Sequence, residues 1–138
     1  MAIQLSDDEW KTKLTDEQYH ILRKKGTEIP GSGNLLHNTK NGDYACAACG
    51  NVVFKSDTKY DSRVPGLIGW PSFSEAASRE AVKLVDDSSN GMQRVEVVCS
   101  NCGGHLGHLF PDDSSPNGKH YCINSAALEF AGKDKAKN

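Results

Sequence analysis

Two copies of one pattern constrain this chain more than anything else in it: Cys46-Ala47-Ala48-Cys49-Gly50 and Cys99-Ser100-Asn101-Cys102-Gly103. Two residues between cysteines let both sulfurs turn toward one ion. A following glycine permits the positive φ that closes such a knuckle. Two knuckles supply four thiolates, enough for a closed tetrahedral site. Cys46, Cys49, Cys99 and Cys102 are therefore the expected ligands of one zinc ion, clamping the two ends of a long insert together. A catalytic zinc keeps an open position beside three protein ligands. Four cysteines close the shell, so the metal is expected to be structural and the chemistry to lie elsewhere. A redox CxxC expects a βαβ setting that is not visible here. A pair of disulfides is disfavoured by a reducing compartment.

The 138 residues suit one domain, expected to span 1–138 with a core from about 7 to 130 and a frayed polar tail over 131–138. Hydrophobic residues make up 37% of the chain, a lean core that a structural metal would help hold together. The net charge of -2 lacks the basic excess that phosphate binding needs, so no nucleic-acid partner is expected. The first twenty positions carry acidic residues and no unbroken apolar run, so neither a secretory signal nor a membrane span is expected. A cytoplasmic location and a monomer are the resulting expectations.

Ser6 followed by Asp7, Asp8 and Glu9, and Thr15 followed by Asp16, Glu17 and Gln18, predict two N-terminal helix starts. The second helix is expected to run to Lys24 or Lys25 and stop at Gly26. A loop rich in Gly, Pro, Ser and Asn follows, over residues 26–43. Short strands are predicted from there: 52–54, a hairpin of 81–85 and 93–98 around Ser89-Asn90-Gly91, then 105–110 and 119–130. In the second hairpin arm Val95 and Val97 face one way, Arg94 and Glu96 the other. The fold class is α+β, mainly antiparallel β.

The fifth cysteine, Cys122, belongs to neither knuckle. On a strand, period two puts His120, Cys122 and Asn124 on one face, opposite Tyr121 and Ile123. That favours a polar pocket for the thiol, whereas a lone cysteine is more commonly an inert core residue. The chemistry alone leaves the two readings level. His105 and His108 would be opposed on a regular strand, but Gly107 allows a bulge that brings both to one side. They are surface polar residues, ligands of a second metal, or donors to a substrate oxygen; a nucleophilic Cys with nearby His is a sensible catalytic pairing. Trp70 and Phe73, beside Pro71, read most simply as a core plug, with a pocket wall as the alternative.

Together the stretches CAACG at 46–50, GWPSF at 69–73, GMQRVEVVC at 91–99, CGGHLGHLFPDD at 102–113 and YCINSAALEF at 121–130 resemble the B-type methionine-R-sulfoxide reductases. The resemblance runs from about residue 7 to 130, and its words, order and spacing make it highly specific. It implies two antiparallel sheets in a tent-like arrangement with helices at the N-terminus. It implies reduction of the R epimer of methionine sulfoxide, protein-bound or free, to methionine. Cys122 looks like the nucleophile, passing through a sulfenic acid, and some activation to thiolate is expected. His105 and His108 look like the residues that bind and protonate the sulfoxide oxygen, with Asn124 orienting them. Trp70 would pack against the substrate methyl group, Phe110 would add to that wall, and Asp112 matches the family's FPD acid. The implied partners are oxidised methionine in proteins or peptides and a thioredoxin-type or small-thiol reductant.

Two departures from the family pattern matter. No cysteine stands before GWPSF, where many members carry the thiol that resolves the sulfenic acid; the region reads Asp61-Ser62-Arg63-Val64-Pro65-Gly66-Leu67-Ile68. His120 occupies the position where the family usually has Arg. The competing classes are a zinc-held binding module, which has no use for a reactive thiol at Cys122, and a zinc-ribbon adaptor. The adaptor's nucleic-acid form is opposed by the acidic balance.

Overall fold

Both N-terminal capping patterns form. The computed structural model describes residues 6–132 apart from 30, 32, 34, 61–68 and 89–92. The Ser6 hydroxyl accepts from the Glu9 amide while the Ser6 amide donates to the Glu9 carboxylate at 2.9 Å, opening α1 (Asp7–Lys13). Thr15 and Gln18 reciprocate in the same way at the start of α2 (Asp16–Lys24). These boxes satisfy amides that a helix start leaves without partners. The helix ends at Lys24, as expected, but the cap is not a glycine. Lys25, with φ 57, takes the left-handed cap, and Gly26 does not. Gly26 serves a different need, since a Cβ there would lie 2.2 Å from the His20 ring.

The strands form two antiparallel sheets, as the resemblance implies. The smaller has the order β2 (Val52–Lys55), β1 (Gly42–Cys46), β9 (Leu128–Gly132). The larger has the order β3 (Lys59–Tyr60), β4 (Ser72–Phe73), β8 (Lys119–Ile123), β7 (His105–Pro111), β6 (Arg94–Cys99), β5 (Val82–Asp87). The predicted hairpin arms pair from Val82↔Cys99 to Asp87↔Arg94; their turn signal lies outside the described residues.

The stretch 119–130 is not one strand. β8 stays in the large sheet to Ile123, a short 3-10 turn spans Ser125–Ala127, and β9 joins the small sheet. β9 also reaches Gly132, inside what was expected to be frayed tail; residues 133–138 lie outside the described residues.

The core is aromatic where the two sheets meet. Phe54 stacks on Phe73 at 4.5 Å between ring centroids, and Tyr44 meets Phe73 edge-on at 5.1 Å. Trp10, Ile21 and Leu22 bring both helices into the same cluster. Each such side chain contributes roughly 1.5–3 kcal/mol by leaving water. Phe73 is thus the plug that the Trp70–Phe73 segment was expected to supply, while Trp70 lies only half-buried. Among the described residues no helix is long and apolar enough to cross a membrane.

Candidate functional site

The two knuckles are built alike. The Gly50 amide donates to the Cys46 carbonyl at 2.8 Å, and the Gly103 amide to the Cys99 carbonyl at 2.8 Å. Both glycines have positive φ, 83 and 76. The four sulfurs lie within 4.8 Å of one another, with Cys46–Cys102 at 3.7 Å and Cys49–Cys99 at 3.5 Å. Four Zn–S bonds of about 2.3 Å in a tetrahedron place sulfurs about 3.8 Å apart, so the cluster fits the ion. Hydrogen bonding to Cys102 pushes the Cys46 thiol up and holds Cys99 far down. A dication held among the sulfurs would favour their thiolate forms. These cysteines form a single structural zinc site. Cys46 ends β1 and Cys99 ends β6, so the ion ties the small sheet to the large one.

The second site lies on one face of the large sheet. Cys122 on β8 is in register with His108 on β7 and with Ser72 on β4. The expected bulge is present: Val97 pairs with Gly107 and Val98 with His105, so Leu106 is the extra residue. It turns His105 and His108 to the same side, with ring centroids 5.2 Å apart. Gly107 contributes through space rather than through its dihedrals. Its φ is not positive, and a Cβ there would fall 2.0 Å from the Cys122 carbonyl oxygen.

Each histidine carries a carboxylate. His105 Nδ1–H donates to Glu96 Oε2 at 2.8 Å, and His108 Nε2–H donates to Asp87 Oδ2 at 2.8 Å. Those bonds set the tautomers and leave His108 Nδ1 as the ring nitrogen available to a ligand. Lys25 Nζ lies 3.3 Å from Glu96 and 3.7 Å from Asp87, and Arg94 lies 3.6 Å from Asp87. Burial lowers the pKa of His105, against the upward pull of its bond to Glu96.

A cavity of about 170 Å³ opens on this face. Trp70 and Phe110 give it apolar walls; Cys122, His108, Asn124 and Arg94 give it polar ones. Burial, and secondarily the charge of Glu28, pushes the Cys122 thiol up to about 12. Removal from water penalises the anion, so burial opposes the expected activation to thiolate in the free site.

Two of the expected site residues sit elsewhere. His105 is 2% exposed and stands behind His108, outside the cavity lining. Asp112, expected at the substrate, is buried instead beneath His120. Its carboxylate accepts from His120 Nδ1 at 2.9 Å and from the Tyr60 hydroxyl at 2.7 Å. His120 in turn bonds Ser72 at 2.9 Å through Nε2, and burial lowers its pKa. It is a strut between β8 and β4 rather than a charge beside the thiol.

Three residues of the site were not singled out from the sequence. Asp87 lies beyond the predicted arm 81–85, and Glu96 was placed only on the face opposite Val95 and Val97; both are buried. Arg94 and Glu96 did carry a signal, because they alternate with Val95 and Val97 on the arm nearest the HLGH word. Glu28 carried none. Its amide donates to Asn124 Oδ1 at 3.0 Å, its carbonyl accepts from Trp70 Nε1 at 3.1 Å, and its carboxylate accepts from the Ser125 and Ala126 amides at 2.9 and 3.0 Å. Asn124 Nδ2 also donates to the Leu106 carbonyl at 3.0 Å. This clamp ends β8 where the sequence suggested it would continue.

A zinc-clamped two-sheet domain with one free thiol facing histidine–carboxylate pairs belongs to the class of cysteine-centred domains, in which metal holds the frame and sulfur is left for chemistry. The chain belongs, more particularly, to the B-type methionine-R-sulfoxide reductase family: the profile of the SelR domain matches residues 14–132. It is 53% identical over 136 residues to the "Peptide methionine sulfoxide reductase MsrB" of Methanosarcina barkeri, covering 99% of this chain and 93% of that protein. It is 52% identical over 138 residues to the protein of the same name from Methanosarcina mazei, covering 96% of each. To that of Leptospira interrogans it is 54% identical over 125 residues, covering 91% of this chain and 92% of the relative.

Proposed function

We propose that this protein is an oxidoreductase that reduces the R epimer of methionine sulfoxide in peptides and proteins to methionine. The relatives' names support the reaction class, and the register of Cys122 with His108 inside a small amphipathic cavity is the observation that carries it. The sulfoxide methyl group packs against Trp70 and Phe110, and the oxygen meets His108. Imidazolium is a donor at the ring nitrogen left by Asp87, and oxygen leaves sulfur only as it gains a proton or a strong hydrogen bond. The Cys122 sulfur bonds to the sulfoxide sulfur, the oxygen passes to Cys122, and the thiol proton balances the step. Thiol and sulfoxide become sulfenic acid and thioether. A neutral resting thiol is compatible with this, since attack is triggered by the polarised substrate rather than by a standing thiolate.

His105 packs edge-on against His108 while bonded to Glu96, and Asn124 binds the Leu106 carbonyl at the bulge. Zinc when bound supplies a rigid cross-link and no chemistry. The sulfenic acid then takes one external thiol, releasing water and leaving a mixed disulfide. A second thiol restores Cys122. A thioredoxin-type dithiol or a small thiol serves. The whole chain, 1–138, acts as one domain and as a monomer in the reducing cytoplasm, where ligand and nucleophilic cysteines stay reduced.

The test is to incubate the zinc-loaded protein with a dabsylated methionine sulfoxide peptide, as separated R and S epimers, plus dithiothreitol. Loss of the R form alone is expected. Equal loss of both epimers, or of neither, refutes the assignment. Cys122→Ser should fold, keep zinc and show no turnover.

A further inference from the structure

We propose that Lys25 is a positioning residue for the His105–His108 pair: its ammonium, delivered by the left-handed end of α2, holds Asp87 and Glu96 where they aim the two rings. This rests on the reading of His108 as the group that meets the sulfoxide oxygen. The first observation is conformational. Lys25 is the one non-glycine among the described residues with positive φ, at 57. Left-handed backbone at a helix end disfavours a Cβ and selects glycine. A glycine stands next door, yet Gly26 is committed to the close approach of His20. The unfavourable position is thus filled by a long cation.

The second observation is where that cation goes. Lys25 Nζ bridges Glu96 Oε1 at 3.3 Å and an Asp87 oxygen at 3.7 Å. The lysine side chain is 49% exposed, while those of Asp87 and Glu96 are 3% and 9% exposed. One half-solvated ammonium therefore serves two buried carboxylates on adjacent strands, each of which holds one histidine. The charged and titratable groups around the pair are Glu96 and Arg94 from β6, Asp87 from β5, Lys25 from the end of α2, Glu28 from the loop after α2 and Cys122 from β8. Lys25 and Arg94 together balance the two carboxylates bonded to the rings. Without Lys25, one buried carboxylate draws its compensation from an imidazolium.

The sign follows. Lys25 is among the charges that lower the His105 pKa, so removing it favours the protonated ring and the His105 midpoint rises. Proton NMR of the His105 Cε1 signal in the free, zinc-loaded protein measures it without any substrate. Lys25→Met should show the rise, and Lys25→Arg should keep the wild-type midpoint. Lys25→Gly suits the left-handed backbone, so it should show the same rise while melting no lower than wild type. Midpoints of Lys25→Met and Lys25→Gly that coincide with wild type would overturn the proposal. So would a Lys25→Arg midpoint shifted as far as that of Lys25→Met. If no reductase activity exists, the function reading fails while the titration still decides the role of Lys25.

Discussion

The Cys122 backbone on β8 lies directly across the strand ladder from His108 on β7, and the same face carries both side chains to one cavity. Burial there favours the protonated thiol. Its pKa is raised by burial to about 12, so the thiolate fraction should grow about tenfold per pH unit without levelling between pH 7 and 10. Iodoacetamide labelling of Cys122, followed by peptide mass spectrometry, should trace that slope. A plateau near pH 7 would mean an activated thiolate. The linkage has a sign as well. A raised folded-state pKa stabilises the fold up to the unfolded value near 8.5, and that stabilisation fades as pH climbs toward about 12. Cys122→Ser should therefore lose less stability than wild type between pH 9 and 11 in urea melts.

Cys46→Ser leaves three sulfurs at a site that needs four. Zinc content by atomic absorption should fall well below one per chain, and the melting transition should broaden or vanish. Structural zinc contributes on the order of 10 kcal/mol in small zinc peptides, more than a typical domain can lose. A metal-free Cys46→Ser protein with wild-type melting and activity would refute the structural role.

Gly107→Ala tests the close approach of β7 to β8. The new methyl would meet the Cys122 carbonyl oxygen at 2.0 Å, a backbone atom that cannot swing aside. The strands must part, at a cost of roughly 1–3 kcal/mol, and His108 moves away from Cys122. A lower Tm with a larger proportional loss of kcat is the expected pair of readings. Wild-type values of both would show that the ladder absorbs the methyl freely.

A single turnover without reductant should leave one sulfenic acid, on Cys122, that dimedone traps. Five cysteines minus the four zinc ligands leave no resolving thiol. Zinc should stay bound, and no internal disulfide should form. A Cys122 disulfide to any zinc ligand, formed with release of metal, would show that a ligand doubles as the resolving group.

Features set by neighbours in the chain were legible in the sequence. The knuckles, both capping boxes and the hairpin arms depend on spacings of a few residues, and each formed. A bulge was foreseen at Gly107 as one way for His105 and His108 to share a face, and it formed one residue earlier, at Leu106. Features set by distant partners were not legible. Asn124 ends β8 because Glu28 binds the next two amides from 96 to 98 residues away. Asp87 and Glu96 gain their roles only when the fold brings His108 and His105 to them. Asp112 was expected at the substrate because it matches the acid of the family's FPD stretch. β7 ends at Pro111, and the carboxylate turns inward beneath His120 instead.

The zinc cluster joins one strand of each sheet, whereas the thiol, His108 and their supporting carboxylates lie on or beside the large sheet alone. Metal supply would therefore act on the quantity of this protein and hardly on its rate. A chain that never acquires zinc has no clamp between its sheets, spends more time unfolded, and becomes a substrate for proteolysis before it becomes a slow enzyme. Scarcity of the metal would be read out as fewer molecules, each working normally.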